Sequence, residues 1–115
     1  MQSDFWRCLD QLIAESKRVI DRPAGSRHPR YPELIYPLDY GYLDGTSAID
    51  GGGVDVWVGS LPARTVTAVV CTVDLLKRDT ETKLLIGCTR EEAATVLATH
   101  NGQYQSAILV ERPAR

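Results

Sequence analysis

Several patterns are scarce or missing in this chain of 115 residues, and each absence removes a class of function. No apolar run approaches the roughly 18 residues that span a bilayer, so no membrane partner is expected. A basic surplus is also missing: 13 Lys and Arg stand against 15 Asp and Glu, for a net charge of -2. That balance argues against nucleic acid and anionic membrane surfaces as partners. Only three cysteines occur (Cys8, Cys71 and Cys88), an odd number without C-x-x-C spacing, and only His28 and His100 could join them. A structural zinc site is therefore not expected, and reduced thiols are. The opening Met-Gln-Ser-Asp-Phe-Trp-Arg lacks the basic region and apolar run of a secretory signal, so a cytoplasmic protein is expected. With no repeat, linker or low-complexity segment, residues 1–115 read as a single domain.

The most informative stretch runs from Tyr36 to Ser60, where Asp39, Asp50, Asp55, Tyr40 and Tyr42 crowd around two glycine-rich turns. Asp50 and Asp55 flank Gly51-Gly52-Gly53. Such a turn can fold two carboxylates toward one point, because glycine tolerates positive φ and close backbone approach. Convergent carboxylates beside tyrosines suit a hard cation that handles phosphate. The plainer reading is a polar hairpin loop whose aspartates only start turns. Upstream, Lys17, Arg18, Arg22, Arg27, His28 and Arg30 form a basic segment broken by Pro23, Gly25 and Pro29. Guanidinium groups suit multidentate phosphate recognition, although charged runs are more often solvated loops.

The remaining elements follow from periodicity. Ser3 is placed to cap a helix whose Phe5, Leu9, Leu12 and Ile13 recur at helical spacing, ending near Lys17 or Arg18. Val54–Gly59 alternates valines with Asp55 and Trp57, the mark of a strand that puts Asp55 on the face opposite the valines. Thr65–Leu76 is a long β-branched run, expected as a strand covered on both faces. A polar turn at 77–81 leads to a strand at Lys83–Gly87. Thr89 and Glu92 form a capping box for a helix that stops at Asn101-Gly102, and Gln103–Glu111 is the last strand. About five strands and two helices with hairpin-like connections predict a mainly β (α+β) chain: a small antiparallel β-barrel, a helix at its N-terminus and another before the last strand. If that barrel closes, Asp79 and Glu81 come near the Asp50–Asp55 loop. Four carboxylates, a lysine and several arginines then meet in one cleft, the donor set for Mg²⁺ ions that clamp a phosphoanhydride. Ordinary turn residues with surface ion pairs are the alternative.

Tyr36-Pro-Leu-Asp-Tyr-Gly-Tyr-Leu-Asp-Gly, followed by Asp50-Gly-Gly-Gly-Val-Asp55-Val, resembles the core of the soluble family I inorganic pyrophosphatases. That family carries Y-P-x-N/D-Y-G-Y, then D-G-D-P-x-D-V, then an acid-turn-acid-x-Lys element, matched here by Asp79, Glu81 and Lys83. The resemblance covers about residues 17–87 and implies an OB-like β-barrel that hydrolyses pyrophosphate with Mg²⁺ or Mn²⁺, and a homo-oligomer. It implies that Asp50, Asp55, Asp79 and Glu81 hold metal, and that Lys17, Lys83, Tyr40 and either Arg27 or Arg30 bind phosphate. Asp50, Asp55, Tyr40 and Lys83 are the residues it places in catalysis.

The chain also departs from the family pattern. Gly52 stands where the family has the aspartate that takes a proton from the attacking water, and Val19 where it has a glutamate. The C-terminal Tyr-Lys pair has no match, since Gln105 follows Tyr104. Three readings follow: an inorganic diphosphatase, a phosphohydrolase acting on a nucleotide or other organic diphosphate, and a non-catalytic module that binds a phosphorylated ligand.

Overall fold

All strands of the computed structural model, which describes residues 4–48, 51–62 and 65–114, join one sheet. In chain order the elements are α1 (Asp4–Glu15), β1 (Lys17–Arg22), β2 (Asp39–Asp44), β3 (Val54–Val58), β4 (Val66–Asp74), β5 (Asp79–Ile86), α2 (Arg90–Thr99) and β6 (Gln105–Glu111). The sheet order is β1-β2-β3-β5-β4-β6, antiparallel except where β3 runs parallel to β5. No described helix is long and apolar enough to cross a membrane.

The mainly β, α+β character holds, and the two helices lie where the sequence puts them, but the closed antiparallel barrel of five strands does not. There are six described strands, the sheet is mixed, and β1 and β6 are its edges. The physical reason lies in how the two faces are covered. On one face, Trp6 and Ile13 of α1 pack with Leu43, Val56, Val69, Leu84 and Ile86. On the other, Ala93 and Val96 of α2 pack with Trp57, Ala68, Val70 and Leu85. A sheet with a helix on each face buries its apolar surface without closing on itself.

β4 has the expected continuous apolar character, and it pairs with β5 on one side and β6 on the other. Two elements differ from the sequence reading. Lys17–Arg22, read as turn-rich, is the edge strand β1, whose charged residues suit a strand that needs only one neighbour. Asp79 and Glu81, read as turn residues, lie inside β5. The reversal falls instead on residues 75–78, where Asp74 Oδ1 accepts from the amides of Leu76 and Lys77, at 3.0 and 2.9 Å, and Arg78 takes φ 59°. On α1 the structure buries Trp6 and leaves Phe5, the first residue of the expected apolar stripe, half exposed. The capping role expected of Ser3 lies outside the described residues.

β1 and β2 approach closely at Gly41, where a Cβ would overlap the carbonyl of Val19. Between them, residues 23–38 form a loop folded on itself by an isolated bridge between Arg27 and Ile35 and packed on the α2 face through Leu34, Tyr36 and Leu38. This loop and the exposed end of the sheet frame the candidate site.

Candidate functional site

Strand register brings the chemistry together. Tyr40 lies opposite Trp57, and Tyr42 opposite Asp55, so these four share one face of β2 and β3. Val56, Trp57 and Val58 align with Leu84, Leu85 and Ile86 of β5, which extends the same face to Lys83 and Glu81. Lys83 Nζ donates to Asp55 Oδ2 at 2.7 Å, to Glu81 Oε2 at 2.9 Å and to the Tyr40 hydroxyl at 2.9 Å. Lys83 is 6% exposed, so its three donors spend their hydrogen-bonding capacity inside the protein.

Two carboxylates and one ammonium leave the cluster with an excess negative charge. Burial alone would lower the Lys83 pKa, but Tyr40 and Asp55 outweigh it and hold the ammonium charged well above the ordinary lysine range. Tyr40 is pushed in the same direction, mainly by burial and then by Asp55, against the opposing pull of Lys83. Its phenol is therefore a neutral hydrogen-bond donor at any physiological pH.

Asp55 and Glu81 also line a hollow of about 340 Å³ on the α1 side, with Leu9, Leu12, Val54 and Thr82. Ser47 and Ala48 belong to the same wall. The Asp55 side chain is 25% exposed and that of Glu81 10%, so the cluster opens to solvent mainly through Asp55. Asp50 itself lies outside the described residues. Oxygen-only donors converging on one open hollow are chemically suited to a hard divalent cation. Among the described residues, no three His, Cys, Asp or Glu side chains converge as a ready metal site.

The other sequence-selected residues lie further out. Asp79 pairs with Asp74 at the start of β5, four residues before Lys83 and hence about 13 Å away along the strand. Lys17 is exposed at the start of β1, opposite Asp44. Alternation along β1 puts it on the same face as Val19, the partner of Tyr42. Arg27 donates to the Pro32 carbonyl at 2.8 Å, and the Arg30 amide to His28 Nδ1 at 3.0 Å; both residues are exposed on the loop.

Sequence reasoning missed an aromatic wall next to this cluster. Tyr40 packs edge-on against Trp57 with ring centroids 4.6 Å apart, and Tyr36 lies 5.4 Å from Tyr40 and 5.8 Å from Trp57. Trp57 Nε1 donates to Nε2 of the buried His100 at 3.1 Å. Burial, followed by the charge of Lys83, lowers the His100 pKa to about 4, so the ring is a neutral acceptor. The alternation of β3 could have placed Trp57 beside Asp55. Nothing local marks His100, which follows α2 and meets Trp57 only through the fold.

No protein-family model matches the chain, and no curated protein matches it in sequence. Solved structures do match it. An inorganic phosphatase of Anaplasma phagocytophilum superposes with a TM-score of 0.61 at 15% identity, over 82% of each chain. The inorganic pyrophosphatase of Helicobacter pylori gives 0.60 at 14% identity, also over 82% of each chain. That of Coxiella burnetii gives 0.57 at 14% identity, over 83% of this chain and 84% of the other. The protein therefore has a pyrophosphatase-like fold.

Proposed function

We propose that the protein is a hydrolase of phosphoanhydrides, with inorganic pyrophosphate as substrate and Mg²⁺ or Mn²⁺ as cofactor. The observation that carries this reading is the Tyr40–Asp55–Glu81–Lys83 cluster, set at an open hollow of a pyrophosphatase-like fold. Asp55 and Glu81 would supply oxygen donors for the cation, with Asp50 added on the family resemblance alone and Asp79 as an outlying acid on the same strand as Glu81. A cation held there would neutralise phosphate charge and acidify a bound water.

The chain's own groups have definable parts. Asp55 and Glu81 would hold the cation, and Lys83, which donates to both, would donate to phosphate oxygens beside it. Tyr40, kept protonated, donates from the same face. Lys17, Arg27 and Arg30 supply cations at the periphery, which raise the local concentration of an anionic substrate. The three free thiols support a cytoplasmic setting. A homo-oligomer remains part of the proposal on family resemblance alone.

Gly52 favours a second reading, because it leaves no carboxylate at the centre of the turn to take the proton of the attacking water. Lack of a positioned base typically costs about 10²- to 10⁴-fold in rate, so turnover is expected to be slow. In the limit the protein binds its ligand without hydrolysing it.

Phosphate release from pyrophosphate with Mg²⁺ tests the first reading. We expect release by the native protein and a loss of about 100-fold or more in Asp55→Asn. Release no greater than that of the variant overturns hydrolysis. Calorimetric binding of Mg²⁺ and pyrophosphate without release establishes the second reading in its place.

A further inference from the structure

A cavity of about 220 Å³ adjoins the cluster on the α2 face, and Lys83 and Tyr40 form its inner wall. Five rings, those of His28, Tyr31, Tyr36, Trp57 and His100, make up half of its remaining wall, with Leu34 and polar side chains between them. Pyrophosphate has no ring to stack and no apolar surface to bury, so hydrolysis of the inorganic substrate leaves this wall without a use.

Two observations separate it from an ordinary aromatic core. The wall continues outward past the core, from Trp57, 1% exposed, and Tyr36, 7% exposed, to Tyr31, 54% exposed. The His28 ring lies 5.0 Å from Tyr31 and stacks on Tyr36 at 6.2 Å with an interplanar angle of 10°. The outer rings are also held in place before any ligand arrives. His28 Nδ1 accepts from the amides of Arg30 and Tyr31, at 3.0 and 3.3 Å, which sets the imidazole plane and leaves the proton of the neutral ring on Nε2. The loop is further closed by His28 N to Leu34 O at 2.9 Å, Leu34 N to Tyr31 O at 2.9 Å and Tyr36 N to Ser26 O at 2.9 Å. Preorganised rings lose little freedom when a ligand binds.

The mouth carries more cations than acids. Lys77 and Asp74 line the cavity, and Asp74 Oδ1 already accepts from the amides of Leu76 and Lys77. Burial, then the nearby Arg22, Arg30 and Lys77, disfavours protonation of His28. Rings inside and cations outside suit a ligand with a planar ring and an anionic arm. The volume is below the roughly 300 Å³ at which pockets for drug-sized ligands begin, so it holds a ring system and leaves the arm outside it.

We infer that this cavity takes the ring of an organic diphosphate, with a nucleoside diphosphate as the type, while the diphosphate lies toward Lys83 and the cationic mouth. The inference rests on the phosphoanhydride site proposed above and names its substrate class. In the corresponding reaction the oxygen of water bonds to the terminal phosphorus as the bond to the bridging oxygen breaks. The products are a monophosphate ester and inorganic phosphate, with one proton released to solvent.

Calorimetric titration with ADP and with pyrophosphate, each with Mg²⁺, tests it in the native protein, Tyr31→Ala and Tyr31→Phe. Tyr31 is exposed and its carbonyl, not its ring, closes the loop, so the variants are expected to melt like the native protein. Loss of one stacking ring should weaken ADP about tenfold in Tyr31→Ala, with Tyr31→Phe restoring it and pyrophosphate unmoved. Pyrophosphate binding without ADP binding, or ADP binding indifferent to Tyr31→Ala, overturns the inference and leaves the phosphoanhydride site standing. Binding of neither ligand overturns both.

Discussion

At Lys83 two opposing effects meet, and the balance sets what the site can do. Burial penalises the ammonium, while Tyr40 and Asp55 keep it charged, and Glu81 accepts from it at 2.9 Å. The same pairing keeps two carboxylates together that would otherwise repel. His100 shows the opposite resolution, with burial and no acid strong enough to offset it. Its folded pKa of about 4 lies below the ordinary 6.5, so its contribution to stability is complete above about pH 6.5. That contribution is lost as pH falls through 4. Urea unfolding from pH 7 to 4 should cost the native protein up to about 3 kcal/mol more than His100→Gln, in which an amide oxygen still accepts from Trp57. Equal pH slopes for the two proteins would show that the imidazole is solvated in the fold.

Single elements reveal which local signals survived folding. Thr89 and Glu92 form the capping box that their spacing announced: Glu92 N donates to Thr89 Oγ1 at 3.1 Å and Thr89 N to Glu92 Oε1 at 2.9 Å. Tertiary structure adds a second use, because the same Glu92 oxygen accepts from Ser60 N and Ser60 Oγ, both at 3.2 Å. Those bonds, led by the Thr89 amide, hold the Glu92 carboxyl below its usual range. Thr89→Ala should therefore cost about 1 kcal/mol and Glu92→Ala about 2 kcal/mol in urea unfolding. Equal losses would mean that the tie between α2 and the end of β3 contributes nothing. Two signals did not survive. β1 carries four charges in six residues, and the first half of β5 is Asp-Thr-Glu-Thr, so both read as loop. Each is a strand because its backbone is paired by a neighbour, which polarity cannot reveal.

Across the whole molecule, the N-terminal helix is tied to the sheet by one polar junction. Asp10 accepts from Arg112 NH1 with both carboxylate oxygens at 2.9 Å, and Asp10 Oδ1 also accepts from Val66 N at 2.9 Å. The Arg112 guanidinium also lies 5.9 Å from the Trp6 ring. This junction joins α1, the start of β4 and the chain after β6, three places distant in sequence. Its side chains are 13% and 26% exposed, against 63% and 86% for the Arg7–Asp4 pair. Arg112→Met should accordingly lower unfolding free energy by about 2 kcal/mol and Arg7→Met by less than about 0.5 kcal/mol. Similar losses from both would show that burial adds nothing to this junction.

The amino-acid sequence alone determined the helices, the strands with regular alternation and the capping box, and its family resemblance singled out Tyr40, Asp55, Glu81 and Lys83 as candidates. These are local matters, because periodicity, turn residues and motif spacing act over a few residues. The tertiary structure decided that the sheet stays open, because a helix covers each face. It also decided that Lys83 holds both carboxylates at once, because β3 lies parallel to β5 and not beside its neighbour in the chain. The same pairing sets Trp57 against His100, 43 residues apart, and backs the aromatic cavity with the ammonium of Lys83. Strand order comes from the burial of apolar faces over the whole chain, so no short segment encodes it.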